Sequence, residues 1–465
     1  MWLPLTAAAL AGGAAAASWR LARRHPETRW DWDGLDPADL RFPPDFRWGT
    51  ATAAHQIEGG LDRNNWSWWE QQTRWGKPTI YQGQKVGLAC DSYARYREDI
   101  GLMKALGVDS YRLSLPWSRL EPEPGVFDEA AIAHYHDQID ALLEAGITPM
   151  LTLHHFTHPQ WFEERGGFLA RGNIPLFVKF SERMFREYRD KVSLWCTHNE
   201  LCVVAIMGYL GGIFPPGHHS YSKMCRAMRN MLISHVRVYQ ALKALPGGDT
   251  AQIGLVKSLF QFDPYHRWSP VDWAGARFCE RAWNGRILDF LKHGVWRVHV
   301  PGLAWQDEAY PEAVGATDFI GLNYYSHILF RSLFVPGVHP QPARRPGTAW
   351  TDMPYGLYPE GFYRALMTLG ELKRPIYVTE CGIPDAADTL RERWIRTYVY
   401  AMSRAIADGA DVKGFYYWSL LDNFEWAEGY SQSFGLYHVD YETQARTLRP
   451  GSQAYVDIIR AARGG

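Results

Sequence analysis

The chain has 465 residues, 46% of them hydrophobic and 21% charged, with a formal net charge of −1. That is enough apolar material for a large core in one long domain, and the balanced charge offers no electrostatic basis for a nucleic-acid partner or a broad basic membrane face. Aromatic residues are abundant, with 21 Trp, 25 Tyr and 21 Phe; such rings stack on sugar faces as well as filling cores.

Residues 2–19 carry no charge, are dominated by Ala and Gly, and are followed by Arg20, Arg23 and Arg24. The length is near the minimum of ~17 residues for a spanning helix. The small residues from Ala15 to Ser18 also resemble a signal-peptidase site, without a basic region ahead of them. A membrane anchor, a cleaved signal and a frayed helix all stand, the anchor being preferred; the arginines would then hold that end in the cytoplasm. The corresponding localisation is membrane-anchored, with an exported or a cytoplasmic protein as alternatives. Residues 20–41 read as a polar linker and residues 42–465 as the folded domain.

Within that domain short β-rich runs alternate with amphipathic stretches such as Ala130–Ala145 and Arg391–Asp408. The candidate strands are Arg47–Ala51, Ser110–Leu115, Thr148–His154, Leu194–Asn199, Gln252–Ser258, Asp318–Asn323, Ile376–Glu380 and Gly414–Ser419. Eight such units predict an α/β fold, a single closed (β/α)8 barrel. The Pro- and Gly-rich residues 333–348 read as a long surface loop. Six cysteines lack any CxxC or metal-like spacing and read as buried thiols rather than a disulfide framework.

In such barrels function sits at the C-terminal ends of the strands. Most of the predicted strands end in, lead to or contain a polar group that apolar packing does not require: Gln56, Arg112, His154-His155, Asn199-Glu200, Asn323 and Glu380, with the indole of Trp418 on the last. Glu200 and Glu380 close the fourth and seventh strands, which lie across the barrel mouth. Two carboxyl groups facing each other over a sugar suit glycoside hydrolysis with retention, one attacking carbon and the other protonating the leaving oxygen.

The segments "THNE" (Thr197–Glu200), "YVTECG" (Tyr377–Gly382) and "YWSLLDNFEWAEGYSQSFGL" (Tyr417–Leu436) resemble glycoside hydrolase family 1, the β-glucosidase family, as do "AHQIEGG" (Ala54–Gly60), "YRLSLPWSRLEPEPG" (Tyr111–Gly125), "GLNYYS" (Gly321–Ser326) and "TLRPGSQAY" (Thr447–Tyr455). The resemblance implies Glu200 as acid/base and Glu380 as nucleophile, with Arg112 beside the nucleophile and Tyr325 bonded to it. It implies Asn199 at the sugar 2-hydroxyl, Asn323 on the same wall, His155 at the 3-hydroxyl, Trp418 beneath the ring, and Gln56, Glu425 and Trp426 gripping the non-reducing end. An acidic Glu425 would repel a phosphate, so the expected substrates are unphosphorylated β-D-glucosides, with β-galactosides and β-fucosides beside them. Three positions depart from the family pattern: Phe156 replaces a Trp, Cys381 an Asn and Leu201 a Pro. No P-loop or HExxH motif is present, so no cofactor and no metal are expected. The segment after Glu380 is similar to archaeal-type members and to plant galactolipid galactosyltransferases. With the apolar residues 2–19 as a route to membrane association, that keeps a membrane-associated transglycosidase as the alternative. Oligomeric state is not legible.

Overall fold

Eight apolar runs form the strands of one closed sheet. The computed structural model describes residues 18–32, 40–325, 327–332, 347–353 and 355–464. In it the strands are β1 (Arg47–Ala51), β2 (Ser110–Ser114), β3 (Thr148–His154), β4 (Leu194–Asn199), β5 (Gln252–Ser258), β6 (Phe319–Asn323), β7 (Ile376–Cys381) and β8 (Val412–Trp418). They run parallel in the order β1-β8-β7-β6-β5-β4-β3-β2, and β2 pairs back onto β1 to close the barrel. Strands covered on both faces tolerate near-continuous apolar sequence; β2, β4 and β6 are buried at every position. β8 begins at Val412, ahead of the expected Gly414, because that glycine pairs with Arg47 and Tyr377 inside the sheet rather than ending it.

The outer ring comprises α1 (Ser92–Leu106), α2 (Glu129–Glu144), α3 (Ile174–Tyr188), α4 (Tyr221–Lys243), α5 (Pro270–Glu280), α6 (Pro359–Gly370), α7 (Arg391–Ala407) and α8 (Gln453–Ala462). Local chemistry sets their starts and faces. Asp128 caps α2, its Oδ1 accepting from the Ala130 and Ala131 amides at 3.0 Å each. In α3 the buried residues Ile174, Phe177, Phe180, Ser181, Met184, Phe185 and Tyr188 recur at helical spacing on one stripe. Each large apolar side chain there contributes about 1.5–3 kcal/mol by leaving water. The packed ring leaves the C-terminal strand ends and their loops to carry polar chemistry. After α5 a π-helical turn, Arg281–Gly285, leads into a further helix, Arg286–His293.

Ladder register shifts cluster at that same end: between Cys196 and Asn199 on β4, between Leu322 and Asn323 on β6, and between Val378 and Cys381 on β7. Such irregularities re-aim side chains at strand ends.

Residues 28–32, inside the stretch read as a linker, dock on α6. The Trp30 amide and the Trp32 indole both donate to Glu360 Oε1, at 2.8 and 3.0 Å, and Tyr358 Oη donates to the Thr28 carbonyl at 3.1 Å. Nearly all of the apolar residues 2–19, and most of residues 333–348, lie outside the described residues. Among the described residues no helix is long and apolar enough to cross a membrane. All six cysteines are free thiols.

Candidate active site

The strand ends converge on a pocket enclosing about 180 Å³, lined by His155, Asn199, Glu200, Tyr325, Glu380, Trp418, Glu425 and Trp426 among others. Glu380 comes from the irregular end of β7 and is 3% exposed. Arg112, wholly buried on β2, donates from Nη1 to Glu380 Oε1 at 2.6 Å, and Tyr325 Oη donates to Glu380 Oε2 at 2.7 Å. Each oxygen of this carboxyl thus meets one donor, one of them charged, which fixes its orientation in the pocket.

Glu200 follows β4 and is 7% exposed. Its backbone is left-handed, at φ 45° and ψ 51°, and its amide donates to the Val256 carbonyl at 3.0 Å. A non-glycine residue held in that conformation is typical of sites where structure is spent on aiming a side chain. Its Oε1 accepts from Asn323 Nδ2 at 2.9 Å. Burial, then the nearby Glu380 charge, push this carboxyl up to about 8, so it holds its proton through neutral pH.

A relay of amides fixes the wall between the two carboxyls. Asn323 Nδ2 also donates to Asn199 Oδ1 at 3.0 Å, and Asn323 Oδ1 accepts from Thr379 Oγ1 at 2.7 Å. Asn199 Oδ1 accepts a second bond from Arg112 Nη2 at 2.8 Å. That leaves the Asn199 amide nitrogen to donate to His155 Nε2, 3.0 Å away. Burial, then Arg112, hold His155 well below the usual histidine range. The ring is therefore neutral, its Nε2 accepts, and its 3.8 Å approach to Glu380 is not an ion pair. Its Nδ1 is buried without a partner among the described residues.

The aromatic floor and rim complete the pocket. The His155 ring stacks at 5.8 Å on Trp418 and at 6.0 Å on Trp426, and Phe156 lies 4.8 Å from Trp426. Gln56 Nε2 faces Asn423 Oδ1, the Phe424 carbonyl and Glu425 Oε2 at 2.9, 2.8 and 3.2 Å. Its buried Oε1 has no partner among the described residues. Burial, then Glu380, raise Glu425 to about 8.

The structure thus brings Glu200, Glu380, His155, Asn199, Tyr325, Trp418, Glu425 and Trp426 to one pocket, with Arg112, Asn323 and Gln56 bonded directly behind its wall. His154, named beside His155, points away from the pocket to His198 and His158. Of the departures, Phe156 lines the pocket, whereas Cys381 and Leu201 pack in the core. Burial raises the Cys381 thiol well above its ordinary value, which leaves it unreactive. Strand five, from which the sequence names no site residue, contributes Ser258 to the lining and a buried lysine, Lys257, beside it. A lysine within the apolar run Ile253–Phe260 was the available signal. The aromatic side chains of Phe260 and Tyr355, from loops, and of Trp283, from the π-helical turn, also line the pocket.

Two buried carboxyls in unlike surroundings, one bonded to Arg112 and Tyr325 and the other raised by burial and its neighbour, sharing an aromatic pocket at the mouth of a (β/α)8 barrel, define a glycoside hydrolase. The profile of Glycosyl hydrolase family 1 matches residues 38–463, and the chain belongs to that family. It is an enzyme, a glycoside hydrolase of the retaining β-glycosidase kind. Beta-glucosidase A of Acetivibrio thermocellus is 32% identical over 450 residues, covering 90% of this chain and 98% of that protein. The cytosolic beta-glucosidase of Homo sapiens is 32% identical over 467 residues, with coverage of 90% and 98%. Among solved structures, the beta-glycosidase from Pyrococcus horikoshii has a TM-score of 0.81 at 36% identity, covering 91% of this chain and 96% of that one. The beta-glucosidase from Thermotoga maritima in complex with glucoimidazole has a TM-score of 0.83 at 32% identity, covering 91% and 99%.

Proposed function

We propose that the enzyme is a retaining, exo-acting β-glucosidase of unphosphorylated β-D-glucosides, accepting β-galactosides and β-fucosides as well, with Glu380 as nucleophile and Glu200 as acid/base. The carrying observation is the contrast between the two carboxyls. Glu380 is bonded to Arg112 and Tyr325, while Glu200 is pushed up to about 8. Glu380 attacks the anomeric carbon as Glu200 passes its proton to the leaving oxygen. In the glycosyl ester Glu380 is neutral, so one cause of the raised Glu200 value disappears. Glu200 then ionises, takes a proton from water, and the water attacks the same carbon.

Asn199 is assigned to the 2-hydroxyl, with Asn323 fixing its orientation. His155 Nδ1–H and Gln56 Oε1, both buried and unpartnered, are the groups left to bond ring hydroxyls. Trp418 forms the floor, and Glu425 with Trp426 holds the non-reducing end. No lysine or arginine lines the pocket among the described residues, which favours sugars without phosphate. Relatives whose printed names are beta-glucosidases favour glucose as the sugar. Residues 42–465 form the catalytic barrel on this reading, with residues 1–19 and 20–41 ahead of it.

Incubation with a 2-deoxy-2-fluoro-β-glucoside tests the assignment: the expected adduct is on the peptide carrying Glu380, and an adduct elsewhere overturns it. A second reading, glycosyl transfer to an apolar alcohol or glycolipid at a membrane, is favoured by the apolar outer wall of Val203, Met207, Ile213, Phe214 and Phe260. Product ratios with an alkyl alcohol acceptor, for the full chain and for a chain lacking residues 1–17, decide it; hydrolysis alone counts against transfer.

A further inference from the structure

Lys257 is 1% exposed and sits at the C-terminal end of β5, behind the pocket lining rather than in it. Among the described residues every hydrogen-bond partner of its ammonium is a neutral acceptor: the Ser258 carbonyl, Asn284 Oδ1 at 3.1 Å and Cys202 Sγ at 3.6 Å. Burying an ammonium without a bonded carboxylate is costly, and a methionine of similar length would fill the same space at lower cost. A fold that retains this cation therefore uses its charge or its donors.

Both have a target. Cys202 lies two residues beyond Glu200 in the helix Leu201–Ile206, and the Glu200 amide is bonded to the carbonyl of Val256, next to Lys257. On the other side, Asn284 binds the Phe260 carbonyl at 2.8 Å through its amide nitrogen. Trp283, which lines the pocket, donates its indole N–H to the Ser258 carbonyl at 3.1 Å. The ammonium thus knots three pieces of chain that meet behind the acid/base: the end of β5, the helix after Glu200 and the π-helical turn Arg281–Gly285.

We propose that Lys257 is a positioning residue for Glu200, a buried cation that ties the helix after Glu200 and the Trp283 wall to the end of β5. The proposal rests on Glu200 being the acid/base. Among the charged groups around Glu200, Glu380 opposes ionisation, Lys257 and Arg112 favour it, and Glu425, itself raised to about 8, repels its charge. Only the Glu380 charge is lost when the glycosyl ester forms. A cation that persists through both half-reactions keeps Glu200 from holding its proton so tightly that deglycosylation lacks a base. The Cys202 thiol facing Lys257 stays neutral, because burial raises it. Burial lowers Lys257, and the carboxylates of Glu200 and, from α5, Glu280 offset part of that. The pocket hydroxyls of Tyr325 and Tyr355 stay protonated, raised by burial.

The test is the pH dependence of kcat/KM for Lys257→Met, Lys257→Gln and Lys257→Arg. Removing the cation makes Glu200 hold its proton to higher pH. The alkaline limb of the two neutral variants should move up by roughly half a pH unit or more, with the acid limb in place. The arginine variant, keeping the charge, should retain the wild-type limb. A uniform rate loss with an unmoved limb in both neutral variants would mark Lys257 as a packing residue and overturn the proposal. Failure of the underlying assignment is read separately: azide would then not rescue Glu200→Ala, whatever the Lys257 variants do.

Discussion

Glu200 and Glu380 are the same residue type, at the ends of two strands of one barrel, in opposite surroundings. Around Glu380 the fold supplies a buried guanidinium at 2.6 Å and a phenol at 2.7 Å. Around Glu200 the one side-chain donor is the neutral Asn323 amide, and its cations act from behind the wall. The difference teaches that the proposed division of labour between nucleophile and proton donor lies in the neighbours. Arg112 reaches Glu380 and Asn199 at once, so a single side chain fixes the anion and the amide proposed for the 2-hydroxyl.

The comparison can be broken from either side. The largest expected effect is for Glu380→Gln, which replaces the proposed nucleophilic carboxylate with an amide; kcat should fall by roughly 10⁴-fold or more. Glu200→Ala should lose roughly 10²–10⁴-fold on glucosides with poor leaving groups. With a nitrophenyl glucoside its deglycosylation should recover in azide, yielding the β-glucosyl azide; the α-azide would contradict retention. Tyr325→Phe deletes a hydrogen bond to the ionised carboxylate, worth about 1.5–3 kcal/mol, so kcat/KM should drop roughly tenfold to a hundredfold with the alkaline limb little changed.

The smallest effect sharpens the comparison at a third acid. Glu425 is raised to about 8 from an ordinary 4.5 by burial and then Glu380. A carboxyl raised in the folded state contributes stability present below its unfolded value and lost as pH rises toward about 8. Glu425→Gln has no such proton to lose, so its Tm should fall less than the wild type's between pH 5 and pH 9. Parallel Tm curves would show that this group is not raised.

Much of the site was legible because barrel topology turns strand ends into neighbours. Once the runs ending at Asn199 and Glu380 were placed as fourth and seventh strands, their convergence followed. What was not legible depends on contacts between segments far apart in the chain. Lys257 looked like one more residue in an apolar strand, and its burial depends on Asn284 and Cys202 arriving from other elements. Trp283 reaches the pocket from a π-helical turn and Tyr355 from a loop, and neither follows a sequence periodicity. Gln56 was legible as a strand-end amide, but its hold by Asn423 and the Phe424 carbonyl arises only when the segment after β8 folds over it. The docking of residues 28–32 was hidden for a similar reason: a polar, Trp-dotted stretch reads as a linker until Glu360 on α6 meets it.

The central claim, that Glu200 keeps its proton through burial and then the charge of Glu380, is open to carbon NMR titration of enzyme labelled at the glutamate carboxyls, before and after Glu380 is trapped as its 2-fluoroglucosyl ester. The resonance lost in Glu200→Gln should titrate near pH 8 in the free enzyme and at clearly lower pH in the trapped one. A Glu200 titration in the ordinary carboxylate range, or one that trapping leaves unmoved, would contradict the account.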